Sequence, residues 1–311
     1  MSLLSVSLFG RFHAQCGQQV LEGIDTRKVQ ELFCYLLLNR GHAHPREALA
    51  SLLWGDYSTA QSKSYLRKAL WQLQTALDLG APSAAQSVLL VDPEWIQLNP
   101  EGDMWLDVAE FERAFTLTQG LPGKELDRSQ AQTLERAVSL YQGDLLEGCY
   151  QDWCLYERER LQHLYLAMLD KLMDYCAACQ EYEAGLAYGS RILRYDRARE
   201  RTHRRLMHLY YLAGDRTEAL RQYERCAAAL AEELGVEPAQ QTKALYAQIR
   251  ADSIDGRSPT PAEPETAREP AVISPPNLLQ RLKQLQAALA DLQHQLQQDI
   301  WEVESSASDR G

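Results

Sequence analysis

Long apolar runs are missing from this chain of 311 residues. No stretch approaches the ~20 consecutive apolar residues of a membrane-spanning helix, so a membrane protein is not expected. The opening Met1-Ser2-Leu3-Leu4-Ser5 has neither the basic start nor the apolar core of a secretory signal. Cysteine is scarce and odd in number, seven in all. That favours reduced thiols in a cytoplasmic protein over a disulfide framework. The motifs of common enzymes are missing too: no GxxxxGK[ST], no HExxH, no nucleophile elbow and no dinucleotide fingerprint. Gly120-Leu121-Pro122-Gly123-Lys124 has the wrong spacing for a phosphate loop. An enzyme is not expected, and no cofactor or metal is implied. Cys176 and Cys179 form a single CxxC inside a predicted helix and read as buried thiols. His42 and His44 read as turn and cap residues. Nothing organises His203 and His208 around a nucleophile. Glu157/Glu159 and Glu232/Glu233 read as solvated helix faces.

The net charge of −11 is unevenly spread. Residues 1–100 hold 8 basic and 8 acidic side chains, residues 101–250 hold 19 and 25, and residues 251–311 hold 5 and 10. A face for nucleic acid must then be a local patch in the first third, with the remainder repelling a duplex.

The periodicities divide the chain. Leu4, Val6 and Leu8 alternate as in a strand, with a turn at Cys16-Gly17. Three helical patterns follow. The first has Thr26 as N-cap, an apolar stripe of Val29, Leu32, Phe33, Leu36 and Leu37, and a stop at Gly41. The second opens at His44-Pro45 and turns Leu49, Leu52 and Leu53 inward. The third runs from about Gln61 to Leu77, with Leu66, Leu70, Leu73 and Leu77 on one face. Val88–Val91 and Trp95–Leu98 about Asp92-Pro93-Glu94 read as a hairpin. This is the parts list of a winged helix-turn-helix over 1–100. Residues 101–250 read as helical. Met173–Glu181 repeats 34 residues later as Met207–Asp215, with Leu172 matching Leu206 and Leu186 matching Leu220. That period is the tetratricopeptide (TPR) signature, and Leu134–Tyr165 is expected to supply flanking helices. Six prolines make 251–276 a semi-rigid linker. Leu278, Leu282, Leu285, Leu289, Leu292 and Leu296 then step by 4, 3, 4, 3, 4, the seam of a short coiled coil over 277–304. The fold class expected is mainly α: winged helix, TPR-like bundle and coiled-coil helix.

The third helix carries the clearest chemical signal. No acidic residue lies between Asp56 and Asp78. At about 100° per residue, Ser64, Arg67, Lys68, Trp71 and Thr75 fall opposite the leucines, with Lys63 and Gln74 at the margin. Such a face suits a major groove: Arg67 can fork onto a guanine edge, and Lys63 and Lys68 suit phosphates. An ordinary amphipathic helix with three basic residues is the bland alternative.

Several runs resemble a known family. Thr26–Gly41, His44–Leu49, Leu52-Leu53-Trp54 and Leu66–Leu70 resemble the winged helix of the antibiotic-regulatory-protein (SARP) type of bacterial regulator. Leu140–Gly148, Trp153–Leu161, Ala213-Gly214-Asp215, Ala219–Arg225 and Leu234–Pro238 resemble the bacterial transcriptional activator domain. The resemblance covers about residues 3–250. It implies a cytoplasmic regulator that binds repeats in double-stranded promoter DNA and engages RNA polymerase or a sigma factor. It also implies that the third helix reads bases and that the Asp92–Trp95 tip touches the backbone or minor groove. Long members carry an ATPase module after the activator domain; here the proline linker and the leucine heptads stand in that place, and self-association into a homo-oligomer is expected.

One cluster is not absorbed by this reading. Arg191, Arg194, Arg197, Arg199, Arg201, Arg204 and Arg205 fall within 15 residues. They read as arginines paired with nearby acids, or as an anion site for DNA phosphate, an acidic partner or a small phosphorylated signal such as a cyclic dinucleotide, with Tyr188 and Tyr195 near enough to stack. Two rival functions follow: a TPR-type adaptor that does not bind DNA, and a nucleotide-sensing regulator.

Overall fold

The computed structural model describes residues 4–80, 88–102 and 104–253. They fall within one unit, Met1–Gly256; the second unit, Arg257–Gly311, lies outside them. So do residues 254–276 of the expected proline linker and all six heptad leucines; Ala251, expected to open that linker, instead ends the last helix.

The first sheet starts where alternation predicted it. Strand β1 (Leu4–Ser7) turns Leu4 and Val6 into the core. It pairs antiparallel with β2 (His13–Cys16), which pairs with β3 (Gln19–Val20). Gly17 supplies the left-handed turn between them, with φ 64°. A strand from much later in the chain, β7 (Met104–Leu106), lies parallel to β1 on its other side. Helix α1 (Arg27–Leu38) follows with its predicted stripe buried; Thr26 takes the N-cap position with an extended backbone, but its side chain makes no capping hydrogen bond.

Helix α2 (Arg46–Trp54) departs from the expectation twice. Pro45 is its N-cap, and His44–Pro45 forms β4, paired with the later hairpin. Leu52 is 40% exposed, while Leu49, Ala50, Leu53 and Trp54 are buried. Steps of 1, 3 and 1 keep those four on one stripe, and Leu52 falls outside it. Helix α3 (Thr59–Gly80) starts two residues earlier than its leucines suggested. Strands β5 (Leu89–Val91) and β6 (Trp95–Leu98) form the hairpin, giving a second sheet in the order β4-β6-β5.

The remainder is helical: α4 (Asp107–Leu117), α5 (Arg128–Leu140), α6 (Asp152–Ala178), α7 (Tyr182–Tyr195), α8 (Glu200–Leu212), α9 (Arg216–Leu234) and α10 (Gln240–Ala251). The 34-residue repeat is visible in the backbone. Gln180 and Gly214 take equivalent left-handed turns, with φ 62° and 85°. Gly185 and Ala219 are the matching small residues that let paired helices approach, and both are buried. Leu172 and Leu206 are likewise buried.

Leu134–Tyr165 does not supply flanking helices throughout. Between α5 and α6, residues Tyr141–Gln151 form an irregular strap, because Gly143-Asp144 and Glu147-Gly148 interrupt the helix. Leu145 and Leu146 are buried, but against the first sheet. Gly10 N donates to Asp144 O (2.9 Å), Leu146 N to Leu8 O (2.9 Å) and Glu147 N to Gly10 O (2.7 Å). The Asp107 carboxylate, also buried, accepts from Leu8 N (2.8 Å) and Phe9 N (2.9 Å). One hydrophobic core therefore runs from Leu4 to Ile192 across both halves. Among the described residues, no helix is long and apolar enough to cross a membrane.

Candidate nucleic-acid interface

Helix α3 is seated by its apolar face. Leu66, Leu70, Leu73 and Leu77 are all buried. The Ser62 hydroxyl donates to Trp54 O at 2.7 Å, tying the start of α3 to the end of α2. The opposite face is left to solvent: Lys63, Ser64, Arg67, Lys68 and Trp71 are exposed, while Gln74 and Thr75 are half-buried. Trp71 is 65% exposed, so it does not pack beneath the hairpin. Thr75 bonds back to Trp71 O (2.8 Å). Among the described residues Arg67 and Lys68 have no ion pair, whereas Lys63 meets Glu47 at 2.5 Å. That contact holds the Glu47 carboxyl below its ordinary value.

The hairpin stands beside this face. At its tip the Asp92 carboxylate accepts from Glu94 N (2.9 Å) and Trp95 N (3.0 Å), and these bonds hold it below the ordinary carboxylate range. Arg46 fastens the tip to α2: its N–H donates to Glu94 O and its guanidinium to Asp92 O at 3.1 Å. A groove of about 820 Å³ opens between α3 and the tip, bounded by Arg46, Glu47, Lys63, Arg67, Glu94 and Trp95. Trp95 is 43% exposed.

The structure thus brings the seven residues singled out on the third helix to one side of it, Gln74 and Thr75 half-buried at its margin, and sets beside them two that the sequence reading passed over. Arg46 was hidden by its place at a helix start. Tyr65 is exposed and packs edge-on against Tyr57 at 5.1 Å; no periodicity distinguishes it from its neighbours.

The arginine cluster does not gather. Arg191 turns inward, donating to Tyr165 Oη (2.6 and 3.0 Å) and Val138 O (3.1 Å). Arg199 and Arg205 share Asp170 at 2.6 and 2.8 Å, and Arg205 also reaches Asp174 at 2.7 Å. Arg197 faces Glu232 and Glu233, and Arg204 faces Glu200. Arg201, Arg204 and Arg205 border one cavity of about 420 Å³, and Arg194 and Arg197 another of about 360 Å³. Tyr195 packs on Tyr141 and Tyr165, and Tyr188 reaches Glu135.

The remaining candidates resolve simply. Cys176 is buried but Cys179 is exposed, because it caps the end of α6 instead of facing its core. His203 is buried between Arg197 O (2.8 Å) and Gln222 (2.8 Å). Gly123 lies against the backbone of Lys171, whose ammonium is bonded to Thr118 O and Leu121 O; Gly120–Lys124 is a packing turn on α6. No metal-binding cluster of His, Cys, Asp or Glu occurs among the described residues.

Residues 106–250 match the bacterial transcriptional activator domain. The chain is 25% identical over 241 residues to the transcriptional regulatory protein MoaR1 of Mycobacterium tuberculosis, covering 75% of this chain and 76% of that protein. It is 26% identical over 208 residues to the regulatory protein AfsR of Streptomyces coelicolor, covering 67% of this chain and 20% of that protein. Its fold is similar to that of Mycobacterium tuberculosis EmbR, solved in complex with a low-affinity phosphopeptide: TM-score 0.64, 21% identity, 82% of this chain and 66% of that one.

Proposed function

We propose that the chain, whose residues 106–250 match the bacterial transcriptional activator domain, is a DNA-binding transcriptional regulator whose N-terminal winged helix reads promoter repeats. The observation that carries this is the exposed, carboxylate-free face of α3 beside the hairpin. Arg67 and Lys68 are free for base and phosphate contacts, and Ser64 and Gln74 add hydrogen-bonding groups. The Asp92–Trp95 tip and Arg46 would meet the flanking backbone. Glu47 opposes an anion but is neutralised by Lys63. The activator domain would recruit RNA polymerase or a sigma factor. Self-association through residues 277–304 would let several weak winged helices act together on repeated sites.

A gel-shift titration of the full chain on its own upstream region tests this. Sequence-preferential binding that fails when Arg67 and Lys68 are both changed to Glu in a folded protein is the expected result. No preference at low salt would favour the adaptor, a reading supported by the net-zero charge of residues 1–100. A small phosphorylated signal is a further reading, supported by the cavity bordered by Arg201, Arg204 and Arg205. Calorimetry with phosphorylated nucleotides should then give heat that Arg201→Ala removes; flat traces count against it.

A further inference from the structure

Burial gives no reason for a tryptophan at position 71. Among the described residues Trp71 is the most exposed tryptophan, at 65%, ahead of Trp95 at the hairpin tip, at 43%. The bond from the Thr75 hydroxyl to Trp71 O engages its backbone and leaves the ring unheld. The exposed tyrosines of the same region, Tyr57 and Tyr65, pack on each other. Trp71 has no such companion among the described residues.

The helix sets its place. At about 100° per residue, Trp71 falls between Arg67 and Lys68, about 40° from the first and about 60° from the second, and almost in line with Ser64 two turns earlier. Arg67, Lys68 and Ser64 are all exposed. Asp78, also exposed, stands in the same column two turns later. Its carboxylate repels phosphate, so the stretch of α3 that suits a duplex ends between Trp71 and Asp78.

An indole set between two duplex-binding cations meets base edges, because paired bases keep their faces stacked on one another. Apart from the Nε1–H donor, its surface is apolar. Laid against the amino and carbonyl edges of adenine, guanine or cytosine, that surface strips water from them without replacing the hydrogen bonds. The C5-methyl of thymine is the apolar group that the major groove offers. On the reading of α3 as the helix that enters the duplex, we infer that Trp71 is a specificity-determining residue that selects thymine through contact with this methyl. Trp71 lies about 6 Å along the helix axis from Arg67, close to two base steps of about 3.4 Å. The thymine is therefore expected within about two or three base pairs of the guanine that Arg67 reads.

Deoxyuridine scanning tests this, since exchanging thymine for uracil removes the methyl and nothing else. The DNA is the fragment of the upstream region that the full chain prefers in gel shifts, with its thymines exchanged one at a time. For the parent chain one exchange should weaken binding about fourfold, the worth of one buried methyl. Trp71→Ala should bind the thymine and uracil forms alike. Trp71→Phe, apolar but without the N–H, should keep the difference. Arg67→Ala should keep it too, while losing the guanine preference. Because the indole is exposed, Trp71→Ala should melt with the parent chain. A chain without any sequence preference would sink the reading of α3 and this inference with it. A preference that stands while no exchange separates the parent from Trp71→Ala would overturn the inference alone. So would a lower mass by light scattering in Trp71→Ala with the uracil effect intact, which would make the indole a contact between copies of the chain.

Discussion

Arg67 and Lys68 sit one residue apart on α3, yet different consequences follow from replacing each. An arginine that forks onto a guanine contributes discrimination, and a lysine on a phosphate contributes affinity to every sequence alike. Arg67→Ala should cost about 1–3 kcal/mol on the preferred site and relax the preference there, whereas Lys68→Ala should weaken all sites evenly and lower the salt slope by about 1. Competitive gel shifts over a small operator library separate the two. Asp107 illustrates the opposite kind of residue, exposed to nothing. Its carboxylate satisfies the buried N–H groups of Leu8 and Phe9 across almost a hundred residues of sequence. Asp107→Ala strands both and should destabilise the chain by about 2–4 kcal/mol, read as a lower denaturation midpoint. The sequence marks Asp107 as a helix-start acid and no more; its partners are non-local.

At the scale of elements, the repeat helices depend on close packing. A side chain at Gly123 would meet the backbone of Lys171 on α6, which cannot rotate away. Gly123→Ala should therefore cost about 1–3 kcal/mol, visible in a thermal melt. His203 links α8 to α9 through Gln222, and burial holds its imidazole below the ordinary value of 6.5. The unfolded chain then takes up a proton first as pH falls. The stability His203 provides is complete above pH 6.5 and declines below it, with Arg225 adding to the effect and Asp196 opposing it. Denaturation midpoints between pH 7.5 and 5.5 should fall accordingly. His203→Gln should flatten the fall.

For the molecule as a whole, the charge distribution sets the solution behaviour. A negative chain holding a duplex by a few cations should lose affinity steeply as salt rises. Deleting residues 277–304 should lower the mass seen by light scattering and weaken binding to repeated sites far more than to a single site. An unchanged mass would remove self-association through that segment. Two halves sharing one core from Leu4 to Ile192 should unfold together in a calorimetric scan rather than as separate transitions.

Local patterns in the sequence were enough for the helices, the hairpin and the 34-residue repeat, because each rests on neighbours three, four or two residues apart. The exposed cationic face of α3 was legible for the same reason: at about 100° per residue, burying the leucines forces Arg67 and Lys68 outward. Tertiary structure alone decided what distant residues do to one another. The strap at Tyr141–Gln151 reads as helix until Leu8 and Gly10, just past β1, offer it bonds. The arginines read as one basic cluster until Asp170 and Asp174 on α6 and Glu232 and Glu233 on α9 divide them. Periodicity encodes which face is buried; only the closed fold determines what each buried group meets there.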